Sequence, residues 1–350
     1  MTLKKLLVNE DAMQLPVDAV ITWVDGADPA HKAKLDEYLA SIGGTRPRSA
    51  SAARFHSSGE IDYCVTSLLR FAPWLRTIYI VTDAQTPDLI DKLKGTQYED
   101  KVKVIDHKII FSGYEQYLPT FNSMSIASML WRIPNLSERF LFLNDDFALI
   151  RAVNINDFYR NNSVILRGSW RKMSDRKIIN RLLCTVKYFF GMSNPLRKKE
   201  RVRFVGVQEQ SAKLLGFHER YFQLAHNPHP WLRSSWENYF NANPQQLNVN
   251  IGYKFRSAEQ FVPEGFSAHY EIKQGLAIID NLLKTLQLKP AEQSFRRVKN
   301  KICGANKNTN IAFVCVQNVE QAPQENQTII TDWLNSRIGL LESFLSDQSN

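Results

Sequence analysis

The sequence predicts an α/β fold: a mostly parallel, doubly wound sheet flanked by helices, with a largely helical basic insertion. Three observations carry this expectation. Short β-rich runs alternate with stretches of helical periodicity, an order that argues for a parallel sheet rather than a sandwich. The last of those runs, RFLFLN at 139–144, is apolar enough to read as a buried strand. And 350 residues, 44% hydrophobic and 23% charged, suffice for a sizeable core without the signature of a disordered or fibrous chain.

The elements follow in order. VDAVITWVDG, residues 17–26, is a strand opening through an Asp-Gly turn signal, with residues 1–16 as an N-terminal extension. In GEIDYCVTSLLRFAPW, residues 59–74, Ile61, Val65, Leu68, Leu69 and Ala72 recur at helical spacing, and Pro73 marks the stop. TIYIVTD at 77–83 and KVKVIDH at 101–107 are the second and third strands, a helix is expected over Ser123–Arg132, and Phe140–Asn144 completes the set. These make an α/β half over 17–160. A basic helical insertion over 161–221, a second half over 222–335 and a C-terminal helix or tail over 336–350 follow it.

Charge is concentrated. Between Arg167 and Arg203 twelve Lys and Arg stand against Asp175 and Glu200, more than the whole chain's net +9, so the remainder is about neutral. Ile178, Ile179, Leu182, Leu183, Val186, Phe189 and Phe190 recur among those cations at helical spacing. That pattern suits either an anionic membrane surface or a helix packed on its own domain with a solvated basic face. No zinc-finger or RNA-binding signature accompanies it, so nucleic acid is not an expected partner. The N-terminal apolar stretch is too short for a signal peptide, and no run reaches the ~18 apolar residues of a membrane-spanning helix. The expected location is the cytoplasm, peripheral at most on the inner face of the plasma membrane. Cys64, Cys184, Cys303 and Cys315 lack metal-site spacing and are expected as reduced core residues.

Ligands of open α/β sheets bind beyond the carboxyl ends of the strands, where Asp25, Asp83, Asp106, Asp145 and Asp146 all fall. Any one of them alone is most simply a turn or helix cap. The adjacent pair Asp145 and Asp146, behind Asn144, is better suited to Mg²⁺ or Mn²⁺, since such carboxylates repel unless a cation neutralises them. In the second half, LAHNPHPWLRSSWENYF at 224–240 sets His226 and His229 in a Pro-punctuated loop before an amphipathic helix. A neutral imidazole there suits a general base, and a helix cap is the plain alternative. YKFRSAEQFVPEGFSAHY at 253–270 places Arg256 among aromatics and ends in His269. Its guanidinium suits bidentate phosphate binding or an ordinary surface ion pair.

Taken together, VDAVITWVDG, RFHSSGEIDYCVTSLLRFAPWLRTIYIVTDAQTP, LPTFNSMSIASMLWRIPNLSERFLFLNDDFAL and HNPHPWLRSSWENYF closely resemble the successive signature regions of the Stealth family. The family comprises hexose-1-phosphate transferases, among them bacterial capsule and exopolysaccharide polymerases and the catalytic subunit of the lysosomal N-acetylglucosamine-1-phosphotransferase. The resemblance runs from about Val17 to Phe158 and from about Leu224 to Tyr270; nothing nameable matches between Arg160 and Tyr221.

The resemblance implies a GT-A-like, Rossmann-like fold. It further implies that Asp25 and Gly26 belong to the nucleotide-sugar pocket, that Arg54 contacts donor phosphate, and that Asn144, Asp145 and Asp146 form a metal-binding strand end. His226 becomes the preferred base, with His229 standing where the family often has Tyr. Arg256 in KFRS matches an Arg-Phe-Arg-Ser stretch. IAFVCVQNV at 311–319 is the weak match, lacking a terminal acid and leaving Asn318 as a hydrogen bonder to donor. The implied reaction transfers sugar 1-phosphate from a UDP-sugar, a UDP-N-acetylhexosamine being favoured, to a hydroxyl of a growing surface polysaccharide, releasing UMP. Two rivals share the residues: a metal-dependent glycosyltransferase releasing UDP, and a non-catalytic capsule-assembly protein binding glycan or membrane.

Overall fold

The structure, a computed structural model, describes residues 15–44, 59–174 and 204–348. Its main sheet has five strands in the order β10-β4-β1-β2-β3. Strands β1 (Val17–Thr22), β2 (Ile78–Thr82), β3 (Val102–Asp106) and β4 (Arg139–Asn144) are all parallel, and β10 (His229–Leu232) runs antiparallel along the outer edge of β4. This is the mostly parallel, Rossmann-like arrangement expected. β1 and β2 are buried from end to end, which is why their sequences are nearly continuous apolar runs. The exception, Asp18, is fully buried in β1, where its carboxylate accepts two bonds from Arg76 (2.6 and 2.9 Å) and one each from Thr77 N and Ser137 N.

Helices α1 (Pro29–Ser41), α2 (Glu60–Phe71), α3 (Leu89–Leu93), α4 (His107–Ile110) and α5 (Ser123–Ala127) follow through the first half. The helix expected over Ser123–Arg132 is shorter: α5 ends at Ala127 and a 3₁₀ turn covers Leu130–Arg132. Ser128 explains the break, since its hydroxyl donates back to the Met124 carbonyl at 2.8 Å and competes with the next helical turn.

After β4 the chain crosses into a second sheet. β5 (Phe147–Leu149) pairs antiparallel with β13 (Ile311–Val316), which pairs in parallel with β12 (Lys284–Leu288). The only residues between β4 and β5 are Asp145 and Asp146, so the acidic pair is the junction of the two sheets.

The remaining strands correct the insertion expected over 161–221. β7 (Ser163–Leu166) lies between β6 (Tyr159–Arg160) and β11 (Ala277–Ile279), and β8 (Gly168–Lys172) pairs antiparallel with β9 (Arg220–Leu224). Both described flanks are thus part of the fold rather than an appendage; Gly168 is where β8 meets β9, and a Cβ there would lie 2.2 Å from the Gln223 carbonyl oxygen. The expected amphipathic helix over Ile178–Phe190 lies outside the described residues, as does Cys184.

α6 (Phe204–Leu214), α7 (Arg233–Ala242), α8 (Pro244–Ile251) and α9 (Pro263–Gln274) build the wall facing the main sheet. In α9, His269 is structural: Nε2 accepts from Phe222 N at 2.9 Å and Nδ1 donates to the Gly265 carbonyl. Two residues on, Glu271 is fully buried, and neither carboxyl oxygen has a hydrogen-bond partner within bonding geometry among the described residues. α10 (Phe295–Lys307) and α11 (Gln324–Arg337) cover the second sheet, and α12 (Leu341–Gln348) is no tail: Leu341 and Phe344 are buried with the residues of α2, and Leu341 N donates to Asp62. Cys64 and Cys315 are core residues as expected, whereas Cys303 is exposed, because α10 turns Val298, Ile302 and Ala305 inward and leaves position 303 outside. Among the described residues no helix is long and apolar enough to cross a membrane.

Candidate active site

A cleft of about 650 Å³ opens where the carboxyl ends of β1, β2 and β4 meet the second sheet and the N-terminus of α9. Sequence order explains its chemistry. Parallel strands all finish at one edge, so each strand-end side chain is delivered to the same rim.

Five acids were expected at that rim, and the structure separates them. Asp106 spends both oxygens on backbone, accepting from Ala84 N and Lys108 N at 2.7 Å each. Asp25 closes its own turn by accepting from Ala27 N at 2.8 Å, and Asp83 pairs with Lys34 at 2.9 Å. These three have the plain roles of turn, cap and ion pair. Asp145 and Asp146 remain, half-buried in the cleft. Burial first, then Asp146 and Glu60, push the Asp145 carboxyl well above its usual range. Burial, offset in part by the Cys315 thiol and aided by Glu60, pushes Asp146 up to about 6. Cys315 Sγ donates to Asp146 Oδ2 at 3.4 Å, while Oδ1 is buried with no hydrogen-bond partner among the described residues.

Two adjacent carboxylates whose charged forms burial and nearby acids disfavour, one of them with an unsatisfied oxygen, suit a hard divalent cation. Among the described residues no group of three or more His, Cys, Asp and Glu is arranged to hold a metal ion, so the pair would need further oxygen ligands to hold one.

The two imidazoles line the same cleft. His226 lies in the β9–β10 connection, half-buried, its ring 5.4 Å from Phe204 and 6.4 Å from Phe147. Burial and the charge of Lys289 lower its pKa, which keeps the ring neutral near pH 7. His229 is not in a loop as expected. It opens β10 opposite Phe142 of β4, and burial, then His226 and Arg167, drive it down to about 3. Arg256 lines the same cleft. Its Nε donates to Ser123 Oγ at 3.1 Å and its Nη2 to the same oxygen, and Glu264 lies close enough for the guanidinium to favour that carboxylate's charged form.

The structure therefore brings Asn144, Asp145, Asp146, His226, His229, Arg256 and Asn318 to one cleft. Asn318 holds a left-handed backbone (φ +54°) that turns the chain out of β13 into the rim. Asp25 and Gly26 do not line the cleft; Trp23 and Val24, just before them, do. Arg54 lies outside the described residues.

Sequence reasoning missed Glu60, Lys289 and Gln317. Glu60 follows Gly59 at the first turn of α2, a place that reads as a helix start, and the other two sit on strand exits with no spacing signal. It also missed a polar end of the cleft beyond β2 and β3, where Asp83, His107 and Thr120 meet the rings of Trp23 and Phe121. There burial lowers His107 to about 4, and its Nδ1 and the Thr120 hydroxyl have no hydrogen-bond partner among the described residues.

Comparison with known proteins finds family models and relatives that match parts of this chain. Stealth protein conserved region 1 matches residues 15–43 and conserved region 2 matches residues 54–166. A capsular polysaccharide phosphotransferase of Actinobacillus pleuropneumoniae is 35% identical over 197 residues, 55% of this chain and 52% of that one. One from Aeromonas hydrophila is 37% identical over 160 residues, covering 45% of this chain and 42% of its own, and an exopolysaccharide phosphotransferase of Streptomyces coelicolor is 42% identical over 161, covering 46% and 16%. The chain spans about half the length, or less, of these curated relatives. Among solved structures, mouse xyloside xylosyltransferase 1 aligns with a TM-score of 0.39 at 10% identity over 86% of this chain and 97% of its own. The bifunctional glycosyltransferase WbbM aligns at 0.43 and 12% over 95% and 52%. The first matched region takes in β1 and the second runs from before the cleft-lining helix α2 through the acidic junction to β7, so the likeness to Stealth proteins falls on the elements that build the cleft.

Proposed function

We propose that the chain transfers a sugar 1-phosphate from a nucleotide-sugar, a UDP-sugar in the favoured case, to a hydroxyl of a surface polysaccharide, forming a phosphodiester and releasing UMP. The observation that carries this reading is that the acidic pair, a neutral imidazole and a guanidinium, drawn from distant parts of the sequence, line one cleft. The names of the similar capsular phosphotransferases point the same way.

In this reading the nucleoside end of the donor occupies the half of the cleft bounded by Trp23 and Phe121, with Thr120 and His107 offering polar atoms. The diphosphate then reaches Asp145 and Asp146, the residues that would hold Mg²⁺ or Mn²⁺. When bound, that ion supplies positive charge against the diphosphate and its leaving group. Arg256, oriented by Ser123, offers its planar fork to a phosphoryl oxygen. His226 Nδ1 or Nε2 accepts the proton of the acceptor hydroxyl as its oxygen bonds to the phosphorus that bears the sugar; the bond from that phosphorus to the bridging oxygen breaks, and UMP departs with that oxygen. Phosphoryl transfer depends chiefly on positioning and electrostatics, so no covalent nucleophile is required of the chain.

A screen of UDP-sugars with Mg²⁺, scored for UMP against UDP and by phosphorus NMR of the product, tests the reading. UMP release with a new phosphodiester resonance is expected. UDP release would instead make the chain a glycosyltransferase, and binding without turnover would make it a non-catalytic glycan-binding protein.

A further inference from the structure

A second concentration of positive charge lies far from the 167–203 segment. Between Lys284 and Lys307 seven Lys and Arg stand against one acid, Glu292. Most of them are on α10, whose inner face is satisfied: Val298, Ile302 and Ala305 are buried with Leu286 and Leu288 of β12 and with Trp333. The outer face is not. Arg296, Arg297 and Lys299 are exposed and form no ion pair among the described residues. Cations in the first turns of a helix oppose its dipole, so local stability does not account for Arg296 and Arg297 there.

Arg296 and Arg297 border a hollow beside the cleft. Ser294, Arg296, Arg297, Asn300 and Lys301 line a surface depression of about 400 Å³. Lys301 Nζ donates to the Gln287 carbonyl at 2.6 Å, and Gln287 Nε2 donates to Gln317 Oε1 at 3.4 Å; Gln317 and Lys289 are cleft residues. Hollow and cleft are therefore adjoining surfaces with a common positive wall.

We propose that this wall, from Lys289 outward along Arg297 and Arg296, is a docking track for a polyanionic glycan, the phosphodiester-linked acceptor chain whose terminal hydroxyl enters the cleft. The proposal rests on the phosphotransferase reading and adds that the acceptor is itself a polyanion. A transferase that makes phosphodiesters adds one negative charge to its acceptor at every step, and a cationic groove beside the site gains affinity for the product as it lengthens. An anionic bilayer fits less well, because surface-seeking helices present an apolar stripe to the lipid and that of α10 is already inside the protein. Single-stranded nucleic acid fits less well too, since no aromatic ring lines the hollow for a base to stack on.

The test uses the full chain and fluorescent poly(glycerol phosphate) oligomers of graded length, read by anisotropy across a salt series, with the double variant Arg296→Ser/Arg297→Ser. A control of equal charge change, Lys103→Ser/Lys108→Ser, sits on the far edge strand β3 and the helix after it. Affinity of the unaltered chain should rise with oligomer length. The α10 variant should bind the longest oligomer about tenfold more weakly near 0.15 M salt, with a log–log salt slope smaller by about one, and the control should match wild type. Its UMP release with single-unit acceptors should stay within about twofold of wild type, because neither arginine touches the cleft.

Equal losses in both variants, or none in either, would overturn the proposal. So would a variant that loses flotation with mixed phosphatidylcholine–phosphatidylglycerol vesicles while keeping oligomer binding, which would assign the surface to membrane. Failure of every nucleotide-sugar to release UMP would defeat the phosphotransferase reading alone, since anisotropy reads the track directly.

Discussion

Replacing Glu271 by Gln should remove a stability cost that appears only as pH rises. Glu271 is fully buried in α9, and the groups facing it, Ser235 on α7, Glu138, Tyr159 and neighbouring Tyr270, include no cation. Burial raises its pKa from 4.5 to about 7, opposed in part by Ser235, with Glu138 adding a smaller upward push. Because the folded value is the higher one, the unfolded chain releases this proton first. Stability is then full below about pH 4.5 and falls until pH passes about 7. At 1.36 kcal/mol per unit the loss approaches about 3 kcal/mol. Gln has the shape and no proton to lose, so urea unfolding of wild type and Glu271→Gln should differ little near pH 4 and diverge towards that value at pH 8, the variant being the more stable. Parallel stability curves across that range would show that Glu271 already ionises freely in the folded protein, and the assignment of a neutral buried carboxyl would be wrong. The consequence reaches the cleft, because the same helix carries Pro263 and Glu264 into its wall.

Other predictions concern the site and the sheet. Asp145→Ala and Asp146→Ala should each lower kcat at least about a hundredfold with the fold retained, measured as UMP release beside thermal melting; wild-type turnover in either variant would remove that residue from the site. His226→Ala should cost about 10²–10⁴ in kcat and flatten the acid limb of the kcat/KM profile, since the lowered imidazole pKa places that limb below the ordinary histidine value. A limb unchanged in the variant would assign the proton elsewhere. Asp18→Ala should destabilise by about 3–5 kcal/mol in urea unfolding, leaving Arg76, Thr77 N and Ser137 N without their shared acceptor, and a loss under about 1 kcal/mol would show that Arg76 finds water instead.

Much of the first half was legible because its signals are local. Buried parallel strands must be apolar along their length, helices must repeat at three and four, and the Asp pair interrupts such a run at its end. Asn318 was recognisable only through resemblance, and Arg256 stood out by its chemistry but not by its place, since nothing in their spacing says that β13 and the loop before α9 return to the acidic junction. His229 was misplaced because two prolines around it read as loop, whereas edge position in the sheet tolerates Pro230 beside β4. The basic wall of α10 was hidden by arithmetic: acids elsewhere cancel it, so a net count beyond the 167–203 segment came out near zero. Burial of Glu271 left no trace in sequence, where it reads as one more polar residue in an amphipathic helix.

The position of Asp145 and Asp146 as the whole connection between two sheets makes competence a property of assembly. A protein that opens locally need lose only the pairing of β5 with β13 to release Asp146 from Cys315 and spread the two acids, while β1 to β4 stay intact. Loss of the proposed activity under heat or mild denaturant should therefore precede loss of the parallel sheet, and a circular dichroism signal that looks native can coexist with a dispersed acidic pair.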